Sequence, residues 1–184
     1  MNTSDPTGHQ PSVQTVSEDA RQRLIQFFAE HPAWVNAARP LPDGVCSQLF
    51  FAGDPTPWRL IRREGKSVLE PGEPEKPDFG FVFSQGAIDY MTEPVDATIG
   101  DFAVRLYECC FIMDEDRRVE LQVIAPISQI VRNGYWKIAL KGGWKVMKLA
   151  RAHGIITVRD VRRVFGLLRG QNSAAVRELF LSQR

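Results

Sequence analysis

Phe79, Phe81 and Phe83 recur at strict period two, with the smaller Gly80, Val82 and Ser84 between and after them. Side chains two residues apart share one face of a strand, so the three rings form one strongly apolar face. Upstream, Trp58 to Arg63 and Lys66 to Glu70 read as two short strands that meet at Glu64-Gly65, where the glycine supplies the positive φ of a tight hairpin. Pro71 to Pro77, rich in Pro, Glu and Gly, turns the chain back. Val45 to Phe51 reads as a first strand. Val119, Leu121 and Val123 alternate with Glu120 and Gln122, a last strand facing the same core, and Pro126 stops it.

Elsewhere the apolar positions follow a helical period. Leu24, Phe27 and Phe28 share one face of a helix that starts near Ser17, an N-cap flanked by the Thr15/Glu18 capping pair, and ends at His31-Pro32. Pro40, Pro42 and Gly44 mark a loop. Ser84 caps a helix over 85–91, with Ala87, Ile88 and Met91 inward. Thr98 and Asp101 cap a longer one in which Ile99, Phe102, Ala103, Leu106, Cys110 and Met113 recur at i, i+3, i+4, i+7. That spacing leaves no room for both Cys109 and Cys110 on the core side. Asp114-Glu115-Asp116 is a turn.

From Ile127 the chain predicts one helix, with Ile127, Ile130, Val131, Gly134, Tyr135 and Ile138 on its inner face; Trp136, Ile138 and Leu140 also alternate as a strand would. Gly142-Gly143 is a hinge. Trp144 to Ala152 is a further helix, followed by one capped by Thr157 and Asp160 with Val158, Val161, Phe165 and Leu168 inward, and a last one over 173–181. Residues 1–16 are polar and aperiodic, with neither the basic start nor the apolar run of a secretory signal, and read as a disordered tail.

Composition adds little until it is split along the chain. The 184 residues with 43% hydrophobic content suffice for one domain with a true core. The net charge of +1 conceals an asymmetry: residues 131–184 carry 12 Lys or Arg against Asp160 and Glu178, and the preceding 130 residues carry a balance of −9. Such a split fits either a surface that meets phosphates, in lipid headgroups or nucleic acid, or two halves that attract each other or a second copy. No recognition helix or base-stacking motif supports nucleic acid. Three cysteines, Cys46, Cys109 and Cys110, form no disulfide framework, and a reducing cytoplasm is the expected compartment.

Three motifs carry a family resemblance: PWRL at Pro57 to Leu60, GKSVLEPG at Gly65 to Gly72, and KPDFGFVFSQGAI at Lys76 to Ile88. With the order hairpin, strand, two helices, strand, helix, the stretch from Val45 to Lys141 resembles the sterol carrier protein type-two family. Arg117-Arg118 and Ala125-Pro126 stand where that family has glycines, and the basic tail after Gly142 has no counterpart in it. The resemblance implies a five-stranded sheet covered by helices, an apolar tunnel between them, and non-catalytic binding of fatty acyl chains, sterols or phospholipids, with the helix 99–113 covering the ligand.

The expected fold is therefore α+β: a five-stranded, mostly antiparallel sheet with helices on one face, over residues 17–141, and a basic helical extension over 142–184. Phe79, Phe81, Phe83, Phe102, Leu106, Val119, Leu121 and Val123 either line an apolar cavity or interdigitate as a filled core. In the extension, Trp144, Lys145, Lys148 and Arg151 share one side of a helix, with Val146, Leu149, Ala150 and His153 on the other. A Trp amid basic residues fits a membrane interface; the alternative is a Trp packed on a neighbouring helix. No catalytic residue, cofactor or metal site is expected. The three histidines lack a nucleophile-and-acid spacing, and the vicinal cysteines lack a partner Cys-x-x-Cys. The expected partner is a lipid or other apolar small molecule, with an anionic membrane surface beside it. The alternative function is a dimerisation or protein-interaction module without a ligand.

Overall fold

The computed structural model describes residues 15–93, 98–155 and 157–169. Its sheet follows from the hairpin. Strand β2 (Asp54–Arg63) folds back on β3 (Lys66–Pro71), and Glu64 and Gly65 both take left-handed φ values of 51° and 72°. Two successive left-handed residues match the twist of the flanking strands. The Asp43 carboxylate accepts from the Gly65 N–H at 2.9 Å, which holds the turn.

β1 (Cys46–Phe51) pairs antiparallel with β2, β4 (Phe79–Phe83) runs parallel to β1, and β5 (Val119–Val123) is antiparallel to β4. The order β3-β2-β1-β4-β5 makes a five-stranded, mostly antiparallel sheet. Register puts Leu49 beside Trp58 and Phe81, and Phe51 beside Phe83. Phe79, Phe81 and Phe83 lie opposite Val123, Leu121 and Val119. All these residues share one face. The other face carries Gln48, Phe50, Arg59, Ile61, Gly80, Val82, Glu120 and Gln122.

Helices cover only the first face. α1 (Glu18–Glu30), capped by the Ser17 hydroxyl, buries Leu24, Phe27 and Phe28. Thr15 and Val16, assigned to the tail on sequence, belong to the fold: Val16 is 2% exposed and its N–H donates to the Ala52 carbonyl. The expected disorder of residues 1–14 lies outside the described residues. α1 ends before Pro32 as expected, and a second helix that the pattern did not predict starts there at once, α2 (Pro32–Ala38), followed by the expected loop through Pro40, Pro42 and Gly44. Pro at the first helical position costs no hydrogen bond, and the His31 ring Nδ1 accepts from the Ala33 N–H at 3.3 Å.

Ser84 caps α3 (Gln85–Thr92), and Thr98 with Asp101 forms a reciprocal capping box on α4 (Ile99–Phe111). Both Cys109 and Cys110 are buried, contrary to the one-sided expectation, because α4 is covered on more than one side, by α3 and β5 and by a later helix. Burial pushes the Cys109 thiol up to about 12 and raises Cys110 as well, so neither is a ready nucleophile. A short 3-10 turn (Glu115–Arg117) leads into β5.

After β5 the single expected helix is broken into α5 (Ile127–Arg132) and α6 (Tyr135–Lys141). Gly134 at φ 87° makes the break, and a Cβ there would lie 3.0 Å from the Pro40 carbonyl oxygen. α7 (Gly143–Ala152) then packs on α4, and α8 (Val158–Arg169) on β5. The extension is thus part of the same packed body. On α8 Leu168 is buried and Phe165 packs half-buried against the core, as expected, whereas Val161 is 43% exposed and Val164 is buried in its place. The expected helix over 173–181 lies outside the described residues.

Burial along β4 increases toward its C-terminal end. Phe83 is 2% exposed, whereas Phe81, the central ring, is half-buried. Phe83→Ala is therefore expected to destabilise the fold by about 3–5 kcal/mol and Phe81→Ala by less. Equilibrium urea unfolding of the two variants checks the order; an equal or larger loss at Phe81 contradicts it.

Candidate functional site

The eight residues expected around a cavity do come together. Phe83, Phe102, Val119 and Val123 are buried, and Phe79, Phe81, Leu106 and Leu121 pack half-buried against the same cluster. Ring centroids step along β4 at 6.1 Å and 5.8 Å, and Phe79 meets Tyr135 edge-on at 4.8 Å. Phe102, from α4, stacks on Phe27 at 5.4 Å and abuts Trp34 at 5.6 Å. A concavity of about 330 Å³ lies on the uncovered side of the sheet, among Gln48, Phe50, Gly80, Val82, Glu120 and Gln122, with Phe81 and Leu121 on its border.

A polar node that the sequence reading missed sits at the start of β4. Asp78 is 1% exposed. Its carboxylate accepts from Gln129 Nε2 and Asn133 Nδ2, each at 2.7 Å, and the Tyr135 hydroxyl hydrogen-bonds to it and to Ser47. Its backbone donates to Cys46 and accepts from Ile124 and Ala125. Burial, then the adjacent carboxylate, raises the Tyr135 hydroxyl above its ordinary value, so it stays a donor. The signal available in the sequence was Gln129 and Asn133 at i and i+4, two amides on one helix face.

This node turns α5. With Gln129, Ile130 and Asn133 facing inward, Ile127 and Val131 point outward at 40% and 51% exposure, against the expectation that both face the core. The exposed apolar series continues through Trp136 (48%), Leu140 (66%), Trp144 (71%) and Met147 (51%). Arg132, Lys137, Lys141, Lys148 and Arg151 are exposed among them. On α7 Trp144, Lys148 and Arg151 face solvent as expected, Lys145 turns toward α4, and Val146, Leu149 and Ala150 are half-buried and His153 buried. Trp144 is not packed on a neighbouring helix.

Two of the basic residues are already engaged. Lys141 Nζ donates to the Asn36 carbonyl at 2.6 Å. Lys145 pairs with Asp101 in the capping box of α4. Beside this pair the two helices touch through glycine: a Cβ on Gly100 would lie 2.8 Å from the Gly142 carbonyl oxygen. The Lys145 ammonium, followed by the Thr98 hydroxyl, lowers the Asp101 carboxyl to about 2. Among the described residues no three or more His, Cys, Asp or Glu converge as a metal site would require, and no helix is long and apolar enough to cross a membrane.

No family model, curated protein or solved structure matches this chain. The resemblance to the sterol carrier family rests on its short motifs and the order of elements read from the sequence.

A folded-state pKa below the ordinary value stabilises the fold above the unfolded pKa and is lost as pH falls through the folded one. The Lys145–Asp101 link should therefore hold at neutral pH and weaken only as pH falls from about 3.8 toward about 2. Lys145→Met is expected to raise the Asp101 midpoint toward the ordinary carboxylate value, as read by carboxyl carbon NMR. An unchanged midpoint would show that the contact is absent in solution.

Proposed function

We propose that this protein binds a lipid or other apolar small molecule without catalysis, and that α5–α7 meet an anionic membrane surface while it does so. One observation carries the reading: six large apolar side chains, Ile127 through Met147, are exposed on three consecutive helices with basic residues among them. Exposed apolar groups arranged in series mark an interaction surface. Trp with Lys and Arg at its flanks suits the headgroup region of a bilayer, where the ring and the charges each find their preferred depth. The ligand, a fatty acyl chain, sterol or phospholipid, would lie along the half-buried strip Phe79, Phe81, Leu106 and Leu121. Three buried free thiols accord with a cytoplasmic setting.

The burial of Phe83, Phe102, Val119 and Val123 supports a second reading, in which that face is a filled core and the exposed helices hold another copy of the chain or a different protein. The two readings part on lipid. Sedimentation with vesicles should show binding to phosphatidylserine-containing but not neutral membranes, weakening steeply with salt, since each basic residue near the surface contributes about 1 kcal/mol. Lys137, Lys148 and Arg151 changed together to Gln should remove most of that binding, and Trp144→Ala a smaller, salt-insensitive part. A fluorescent fatty-acid probe should bind saturably, and Leu106→Asp should weaken it because a buried carboxylate is costly to desolvate. Absence of both vesicle and probe binding, with dimers that form as concentration rises and are lost in Leu140→Asp, establishes the second reading instead.

A further inference from the structure

Arg62 lies on the covered face of β2, two residues on from Leu60 and opposite Ser67 of β3. It is 6% exposed. Its Nη1 donates to Ser67 Oγ at 3.3 Å, but its buried Nε has no acceptor. The buried Nε1 of Trp34, reaching in from α2, has none either. Both residues border a cavity of about 20 Å³ whose other walls are the apolar Leu41, Val45, Leu60 and Ile61 and the hydroxyl-bearing Ser47, Ser67 and Tyr135.

No carboxylate among the described residues stands within 4 Å of this guanidinium. Asp43 acts on it only through space, is exposed, and accepts from Gly65. The Asp78 carboxylate is held by Gln129 and Asn133. Burial accordingly holds Arg62 below the ordinary arginine value, with Asp43 opposing.

We propose that Arg62, Trp34 and Ser67 bind a small monovalent anion of the size of chloride. A buried charge is costly unless it is paired. A water molecule could accept from Nε and Nε1 but would leave the positive charge uncompensated; an anion does both. The Ser67 hydroxyl, whose oxygen accepts from Arg62, keeps its own hydrogen for a third donation. Ser47 and Tyr135 also line the cavity, but the Tyr135 hydroxyl is engaged with Asp78 and Ser47; the donors left over, on Arg62, Trp34 and Ser67, favour negative charge. A volume of about 20 Å³ takes a body near the size of one water molecule, which admits a halide and excludes sulfate or phosphate. The bound ion would join the end of the β2–β3 hairpin to α2 beneath the aromatic cluster.

Ligand binding to the folded state alone raises stability with the logarithm of its concentration. The unfolding midpoint of the full chain should therefore be higher in sodium chloride than in sodium gluconate at equal ionic strength. The rise should be about 2–4 °C or more at saturating chloride. Bromide should replace chloride, and sulfate should not. Arg62→Met and Trp34→Phe should each reduce or abolish the halide-specific increment. Should Arg62→Met fail to fold, Trp34→Phe and the anomalous signal of bromide in crystals decide: a peak against Arg62 Nε and Trp34 Nε1 is expected. Equal midpoints in the two salts, an increment that survives unchanged in Trp34→Phe, or bromide bound only elsewhere overturns the proposal.

Discussion

The burial of the Asp78 carboxylate is the constraint on which much of this structure depends. A carboxylate taken out of water costs several kcal/mol unless donors replace its hydration. Here the donors are Gln129, Asn133 and Tyr135, all from the chain that follows β5. Backbone bonds of the same residue reach Cys46 on β1 and Ile124 and Ala125 beyond β5. One residue therefore links the parallel pair at the sheet centre, the end of the last strand, and the start of the helices that follow. Gly134 is part of the same arrangement, since its left-handed turn lets Asn133 and Tyr135 approach Asp78 from different helices.

Satisfying that carboxylate determines what the helices show to solvent. At roughly 100° per residue, turning Gln129 and Asn133 inward sends Ile127 and Val131 roughly 160° away from Gln129. The exposure of Ile127 and Val131 on α5 is thus a consequence of a polar requirement in the core. Lys145 and Gly100 then set how α7 lies on α4, and Trp144 is left standing in solvent. The charge asymmetry along the chain is partly internal, through the Lys145–Asp101 pair, and partly displayed, through Lys137, Lys148 and Arg151.

The two polar sites inside the molecule differ in kind. Asp78 is matched by amide and hydroxyl donors on neighbouring elements. Arg62 is matched by Ser67 alone, its Nε and the Nε1 of Trp34 lack acceptors, and both residues line a small cavity. Beyond the i, i+4 spacing of Gln129 and Asn133, the order of residues marks neither site. Asp78 looked like one more polar residue before a strand, and Arg62 followed Leu60 and Ile61 as one of two adjacent arginines. Their burial depends on which way β2 and β4 face, and that is settled only when the strands pair.

Local pattern alone determined the strands, the hairpin turn, the Ser17, Ser84 and Thr98 caps and the α+β class. Each rests on contacts a few residues apart: alternation of Phe79, Phe81 and Phe83, left-handed turning at Gly65, and side chains reaching the next turn of their own helix. Tertiary structure decided the parallel pairing of β1 with β4, the burial of both Cys109 and Cys110, the break at Gly134 and the outward face of α5. Those features depend on what lies across from a residue rather than beside it. A helix covered on more than one side buries residues that a one-sided pattern assigns to solvent, and a buried carboxylate outranks isoleucine for the inner face of a short helix.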